Sequence, residues 1–244
     1  MYDTPKYLGS GEKCLVVEFS DGIDRQANIR LQSLRRTLEQ RRIPGMLELA
    51  PAYSSLSIHH NPLILSRDEL IPLVEEALRA NVVGESTQKR ILTLPVAYGG
   101  GHGPDMETVV RHTGFSEEEV VRRHTAVDCY CFMLGFTPGF GYLGGMDPAL
   151  ETPRLATPRT HIPAGSVGIA GKQTGAYSID SPGGWRLIGR TPLKLFDPEA
   201  ENPTLLEAGD WIRFRAISEN EYDEIAKAVA AKRHTPERIL EGGA

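Results

Sequence analysis

"LGFTPGFGYLGG", Leu134 to Gly145, packs five glycines and a proline among two phenylalanines and a tyrosine. Glycine lets a backbone approach a ligand or another chain closely. Aromatic rings supply a wall with little conformational freedom to lose. Together they describe a rigid, concave surface on a β scaffold.

The flanking sequence extends that reading. "VDCYCFMLGF" (127–136) is an apolar strand run, and from Pro138 to Pro203 the chain is dense in glycine and proline. It carries only short strand-like pieces, "GSVGIAG", "GAYSID" and "WRLIGRTPLKLF". "DWIRFRAI" (210–217) closes the set. Many short strands with no long helix spell a β-barrel or a β-sandwich. "SEEEVVRRHTA" (116–126) is a helix with Ser116 and Glu119 as a capping box, and "SENEYDEIAKAVAAKRH" (218–234) is a terminal helix with Ser218 and Glu221 in the same roles. The tail "EGGA" is expected to fray.

Upstream the pattern changes. "KCLVVEF" (13–19) is a strand, and residues 22–42 place Ile23, Ala27, Leu31, Leu34 and Leu38 at helical spacing. "MLELAP" (46–51) and "SLSIHH" (55–60) are short strands. "SRDELIPLVEEALRAN" (66–81) is a helix with a Ser66/Glu69 box, although Pro72 falls inside it. "KRILTLPVAY" (89–98) is again a strand. The order is βαββαβ, the split arrangement of ferredoxin-like domains. The expected division is therefore an α/β unit over 1–88, a β domain over 89–218, and a carboxy-terminal helix and tail over 219–244.

Composition narrows the classes of function. The 244 residues are 40% hydrophobic and 24% charged, with a net charge of −5, ordinary for a globular protein and unsuited to a general nucleic-acid or membrane surface. The three cysteines, Cys14, Cys129 and Cys131, form no disulfide framework. Cys129 and Cys131 share one face of a strand as small buried residues. The start lacks a basic segment followed by an apolar run, and no apolar run approaches the ~18 residues of a membrane span, so a cytoplasmic location is expected.

Several stretches invite chemistry. "AGSVGIAGKQTG" resembles a phosphate loop, but Gln173 stands where that motif needs Ser or Thr, and no helix follows. The simpler reading is a β-turn with Gly171 at positive φ, leaving Lys172 and Gln173 to line a pocket. "GGGHGPDM" (99–106) is either an anion-wrapping loop or a linker, with His102 and Asp105 its chemical residues. Asp105 also suits the start of a helix. His124, at the end of a helix, fits a capping role. "DSPGGWRLIGRTP" (180–192) offers Trp185 as a flat face. Arg186 and Arg190, four apart in a strand, are expected on one side, suited to a carboxylate or phosphate. Surface charge beside a core tryptophan fits that spacing equally well. No nucleophile elbow, zinc signature or dinucleotide fingerprint is present.

The segments "PVAYGG", "GPDM", "GFTPGFGYLGG", "PAGSVGIAGKQTGAY", "SPGGWRLIGRTP", "LFD" and "GDWIRF", spread from Pro95 to Phe214, resemble the pattern of the KipI family, also called allophanate hydrolase subunit 1 or the PxpB component of 5-oxoprolinase. "LVVEF" and "PAYSSL" extend the resemblance to the amino-terminal part. It implies a small α/β domain followed by a cyclophilin-like β-barrel. It also implies partners, a KipA-type (PxpC-like) and a LamB/YcsF-type (PxpA-like) polypeptide, in an ATP-dependent complex that opens 5-oxo-L-proline to L-glutamate. The family also includes an inhibitor of a sporulation histidine kinase, and resembles half of the carboxyltransferase module of urea carboxylase, so kinase inhibition and action on urea or allophanate stand as alternatives. This chain carries no biotin-carrier sequence.

Opening a lactam needs cationic groups where negative charge builds and a grip on the substrate carboxylate. Arg159, Lys172, Arg186 and Arg190 are the expected cations, with Gln173 and Tyr177 as neutral partners. Phe140, Tyr142, Arg159, Gln173, Tyr177, Trp185 and Arg190 stand at the family's motif positions. The expected proton-transfer groups are His124 and Asp105, unless the base lies on another polypeptide of the complex.

Overall fold

The computed structural model describes residues 1–81, 89–135 and 137–242. Phe136 lies outside these, as does the stretch 82–88 at which the first expected boundary falls. The chain forms two compact units, one drawn from the first 81 residues and one from residues 89–242.

In the first unit the elements run β1 (Lys6–Gly9), β2 (Cys14–Glu18), α1 (Arg25–Arg41), β3 (Met46–Pro51), β4 (Ser55–His60) and α2 (Arg67–Asn81). The strands make one antiparallel sheet in the order β1-β2-β4-β3. Alternation puts Leu15, Val17, Leu56 and Ile58 on one face, buried against Ala27, Leu31, Leu34 and Leu38 of α1 and Leu70, Val74 and Ala77 of α2. Asp24 caps α1 by accepting from the Ala27 amide at 2.9 Å, so the helix begins after Ile23. That residue, expected on the core face, is 66% exposed. Ser66 and Glu69 close their box in both directions, and Pro72 sits inside α2.

The sheet departs from the βαββαβ expectation in one respect. The strand at 89–98 does not join it, and the place beside β2 is held by β1. Pairing explains the exchange. β5 (Lys89–Tyr98) is buried almost throughout, and a run without a polar face needs cover on both sides. It finds that cover in the second unit.

There the remaining elements are α3 (Met106–Thr113), α4 (Glu117–Thr125), β6 (Asp128–Leu134), β7 (Gly141–Gly144), β8 (Arg159–Ile162), β9 (Ser166–Ala170), β10 (Gln173–Ala176), β11 (Ser181–Gly183), β12 (Arg186–Arg190), β13 (Trp211–Ala216), α5 (Glu219–Ala230) and β14 (Arg238–Glu241). Seven strands close a barrel in the order β12-β9-β10-β7-β6-β13-β5, the ring completed by β5 pairing back to β12. This resolves the barrel-or-sandwich alternative. β13 runs parallel to β5 along six residues, the one parallel pairing of the ring. β14, which reaches Glu241 where a frayed end was expected, pairs with β5 at residues 89–92. β8 and β11 form a separate two-stranded ribbon. Leu92, Leu94, Val96, Cys129, Cys131, Val167, Ile169, Ile212 and Phe214 belong to the core. Burial pushes the Cys129 thiol up to about 12, so it packs as a small apolar group. Among the described residues, no helix is long and apolar enough to cross a membrane.

Two apolar residues on either side of Asp24 test the α1 boundary. Leu31→Ala is expected to destabilise the first unit by about 2–5 kcal/mol, the usual cost of a buried leucine. Ile23→Ala is expected to change it by less than about 0.5 kcal/mol. Urea unfolding of the two variants decides, and equal losses would contradict the boundary.

Candidate functional site

The rings that the sequence spreads from Phe140 to Trp185 meet at one place. Phe140 lies edge-on to Tyr142, Tyr177 and Trp185, with centroids 5.4, 5.5 and 5.4 Å away. Such edge-to-face pairs add about 0.5–1.5 kcal/mol each beyond the area they bury. They form one wall of a cleft of about 210 Å³, whose rim includes Gly135, Thr137, Arg154, Ser181 and the Gly183–Gly184 pair.

Glycine makes this packing sterically feasible. A Cβ on Gly183 would stand 2.3 Å from the Tyr177 phenol oxygen, and one on Gly135 would stand 2.7 Å from the Tyr142 ring. The Tyr177 phenol is held above its usual range chiefly by burial, offset in part by the nearby Trp185 backbone amide and by the charges of Arg154 and Arg159. It is a neutral O–H at any working pH.

Of the expected site residues, Phe140, Tyr142, Tyr177 and Trp185 line the cleft. Arg159 does not. Its guanidinium forms a two-pronged pair with Asp105, both contacts at 2.9 Å. Asp105 is buried, and its Oδ2 also accepts the Leu187 amide at 2.7 Å. The carboxylate expected to transfer protons therefore ties the start of α3 to β12 and to β8. It gives no side-chain cap to α3.

The loop before it is likewise occupied. The amides of Gly99 and Asp105 donate to Ile188 and Leu187, and those of His102 and Gly103 donate to Gly99. Those N–H groups are not available to an anion. Lys172 is exposed at the β9–β10 turn, where Gly171 has φ +58° as a turn requires. Gln173 begins β10 opposite Ala170. Neither lines the cleft.

Arg186 and Arg190 correct the expectation of a shared face. The register slips between Leu187 and Gly189, so Arg186 stands opposite Ile169 and Arg190 opposite Ser166. Positions three apart on β9 point to opposite sides, and the bulge turns the two arginines apart. Arg186 donates to the Pro153 carbonyl at 3.1 Å, and Arg190 to the Ala164 carbonyl at 2.9 Å.

His124 is neither a helix cap nor an accessible base. It is 1% exposed, packed against Phe214 with the rings tilted by 40° and their centroids 4.3 Å apart, and bonded at both ring nitrogens. Thr174 Oγ1 donates to the Gly168 carbonyl at 3.1 Å, which leaves that oxygen to accept His124 Nε2–H at 2.7 Å. Nδ1 then accepts from the Tyr98 hydroxyl, also at 2.7 Å. This chain of donors assigns the Nε2–H tautomer. Burial drives the imidazole down to about 3, so it is neutral and joins β5 to β10 through the core.

The residue that sequence reasoning missed is Arg154. It stands in the first of two Pro-Arg pairs, Pro153-Arg154 and Pro158-Arg159, of the family pattern, but nothing in the sequence separates it from Arg159, and its place on the rim is what singles it out.

The family described as carboxyltransferase domain, subdomain C and D, matches residues 5–206. The B-subunit of 5-oxoprolinase from Bacillus subtilis (strain 168) is 42% identical over 222 residues, which cover 87% of this chain and 92% of that one. Its counterpart in Escherichia coli O157:H7 is 40% identical over 205 residues, covering 84% and 92%. The solved structure of TTHA0988 superposes with a TM-score of 0.76 at 35% identity. It covers 84% of this chain, which spans only 40% of that longer one.

The His124 environment carries a pH signature. Its folded value lies below the ordinary 6.5, so the unfolded chain binds the extra proton. The contribution is complete above pH 6.5 and is lost as pH falls towards 3, by up to about 1.4 kcal/mol per unit. Between pH 7 and pH 5 the wild type is expected to lose about 2 kcal/mol more stability than His124→Gln does. Identical pH slopes for the two proteins would place the proton elsewhere.

Proposed function

This chain belongs to the carboxyltransferase subdomain C and D family, among proteins of the 5-oxoprolinase B-subunit type, and from that premise we propose that it is one component of a 5-oxoprolinase. The observation that carries the reading is identity of 40% or more to two such proteins over 92% of their length. In this proposal the chain works with a KipA-type and a LamB/YcsF-type partner and opens 5-oxo-L-proline to L-glutamate with hydrolysis of ATP. We read its barrel as cyclophilin-like and its first unit as a ferredoxin-like core whose outer strand is supplied by β1.

The chemistry suits a shared site. A lactam is a stable amide, and phosphorylation of its oxygen makes the carbon far more electrophilic. ATP enters as a substrate of the assembly. The glycine-rich segments of this chain do not fit a triphosphate: the amides of Gly99, His102 and Gly103 are already bonded, and Gly171 lies in a hairpin turn. The proposal therefore places the nucleotide on a partner. What this chain contributes is a shaped, partly apolar cleft that holds and orients the ring, with the Tyr177 hydroxyl as a fixed neutral donor and the aromatic wall excluding water. His124 and Asp105 are bound within the fold, so the proton-transfer group is proposed to come from a partner.

The carboxyltransferase description of the family favours a second reading, a half-module acting on urea or allophanate. It ranks below the first, because neither urea nor allophanate offers a ring for the aromatic wall.

Reconstitution distinguishes the two. The complete mixture of three polypeptides, ATP and 5-oxo-L-proline is expected to release glutamate, and omission of this chain to stop it. A complete mixture that makes none would overturn the reading. Trp185→Ala should lower kcat/KM of the assembly by about 100-fold or more, and Trp185→Phe, which keeps the wall, by much less. Wild-type turnover by Trp185→Ala would mean that the ring is held elsewhere.

A further inference from the structure

We propose that the aromatic cleft is a binding site for a small cyclic monocarboxylate, with Arg154 as the residue that takes the carboxylate. The inference rests on the 5-oxoprolinase reading for the identity of the ring and its place in the cleft, and goes beyond it in naming the residue that takes the carboxylate.

The argument begins with which cations are available. Arg159 is held by Asp105, and Arg186 and Arg190 are each directed to a backbone carbonyl. Arg154 makes no hydrogen bond or ion pair among the described residues, and its side chain is the one charged group on the rim of the cleft. A guanidinium offers a planar fork that matches a carboxylate with two parallel hydrogen bonds.

Its position is built. On one side of Arg154 the Pro153 carbonyl accepts from Arg186 Nε at 3.1 Å, and on the other the Leu155 amide donates to the Gly184 carbonyl at 2.8 Å. Both bonds tie the segment to the residues flanking Trp185. A one-residue bridge between Thr152 and Gly171 adds a third anchor. The backbone that carries Arg154 is therefore held on both sides at the cleft edge, while the side chain is left open.

The rest of the site fits the same ligand. Tyr177 lines the same cleft as Arg154, and the nearby guanidinium offsets part of the rise that burial gives its phenol. Its O–H can donate to a ligand oxygen such as that of a lactam or carboxylate. Phe140 and Trp185 present apolar faces to the body of the ring. A space of about 210 Å³ accommodates a five-membered ring with one carboxylate.

The test is calorimetric titration of the full chain with 5-oxo-L-proline and with 2-pyrrolidinone, the same ring without the carboxylate, on wild type, Arg154→Gln and Arg154→Lys. The expected result is that Arg154→Gln weakens 5-oxo-L-proline by roughly 10- to 100-fold, as loss of a charged hydrogen-bond partner does. It leaves 2-pyrrolidinone unchanged, and Arg154→Lys recovers part of the loss. In the reconstituted assembly Arg154→Gln should raise KM by a similar factor with kcat nearly constant. Undiminished binding by Arg154→Gln overturns the proposal. So does equal affinity of the wild type for the two ligands, or the absence of saturable binding. If the assembly yields no glutamate while the chain binds 5-oxo-L-proline through Arg154, the function assigned above fails and this site stands. If Arg154→Gln turns over like wild type, the site fails and the function stands.

Discussion

A β-carbon on Gly183 would collide with the Tyr177 phenol oxygen, and the geometry of the cleft follows from that missing carbon. Tyr177 can lie against the backbone at residue 183 only because nothing projects from it, and in that position its ring meets Trp185 edge-on at 6.1 Å. Trp185 in turn packs over Gly175, where a Cβ would sit 3.1 Å from its ring. Each of these rings is thus located by backbone as well as by other side chains, which makes the wall stiff. A stiff apolar wall is what a small ligand needs if its binding energy is not to be consumed in ordering the site.

The charged residues around this wall serve a different purpose. Asp105 is buried, and a buried carboxylate without partners would be costly. It has three hydrogen bonds, two from Arg159 and one from the Leu187 amide, and so fixes α3 against the strand that leads out of Trp185. His124 does similar work deeper in the barrel, as a neutral ring between Tyr98 and Thr174. Both look reactive when read along the chain, since His and Asp are the usual proton carriers. Burial with every polar atom satisfied reverses that reading: a group whose bonds are all made inside the protein has none to offer a substrate.

Much of the fold was legible because it rests on local patterns. The alternation of Leu15, Val17, Leu56 and Ile58, the helical spacing of Leu31, Leu34 and Leu38, and the Ser66/Glu69 box each follow from spacing and capping alone. What escaped depends on partners distant in sequence. β1 and β14 are four-residue strands whose sequences carry little alternation, and they exist because β2 and β5 offer open edges. β5 reads like a strand of the first unit, and only its burial on both faces reveals that it belongs to the barrel. The ring cluster was legible as a kind of surface, because glycine and aromatic residues together have few other uses. The arginines were not, since a single bulge at Ile188 reverses which side they face, and nothing in "WRLIGRTP" marks it.

That bulge also bears on how the cleft gets its charge. With Arg186 turned to the Pro153 carbonyl, the strand beside Trp185 uses its own cation to secure the neighbouring segment. The segment so secured then presents Arg154. One guanidinium is thus used to place another, an indirect arrangement with a physical advantage. An arginine on the strand itself would project perpendicular to the sheet, along a direction set by the pleat. An arginine on an anchored irregular segment can approach the cleft from its rim, where the charge stays hydrated until a ligand displaces the water. The desolvation cost of a buried cation is thereby avoided in the free protein.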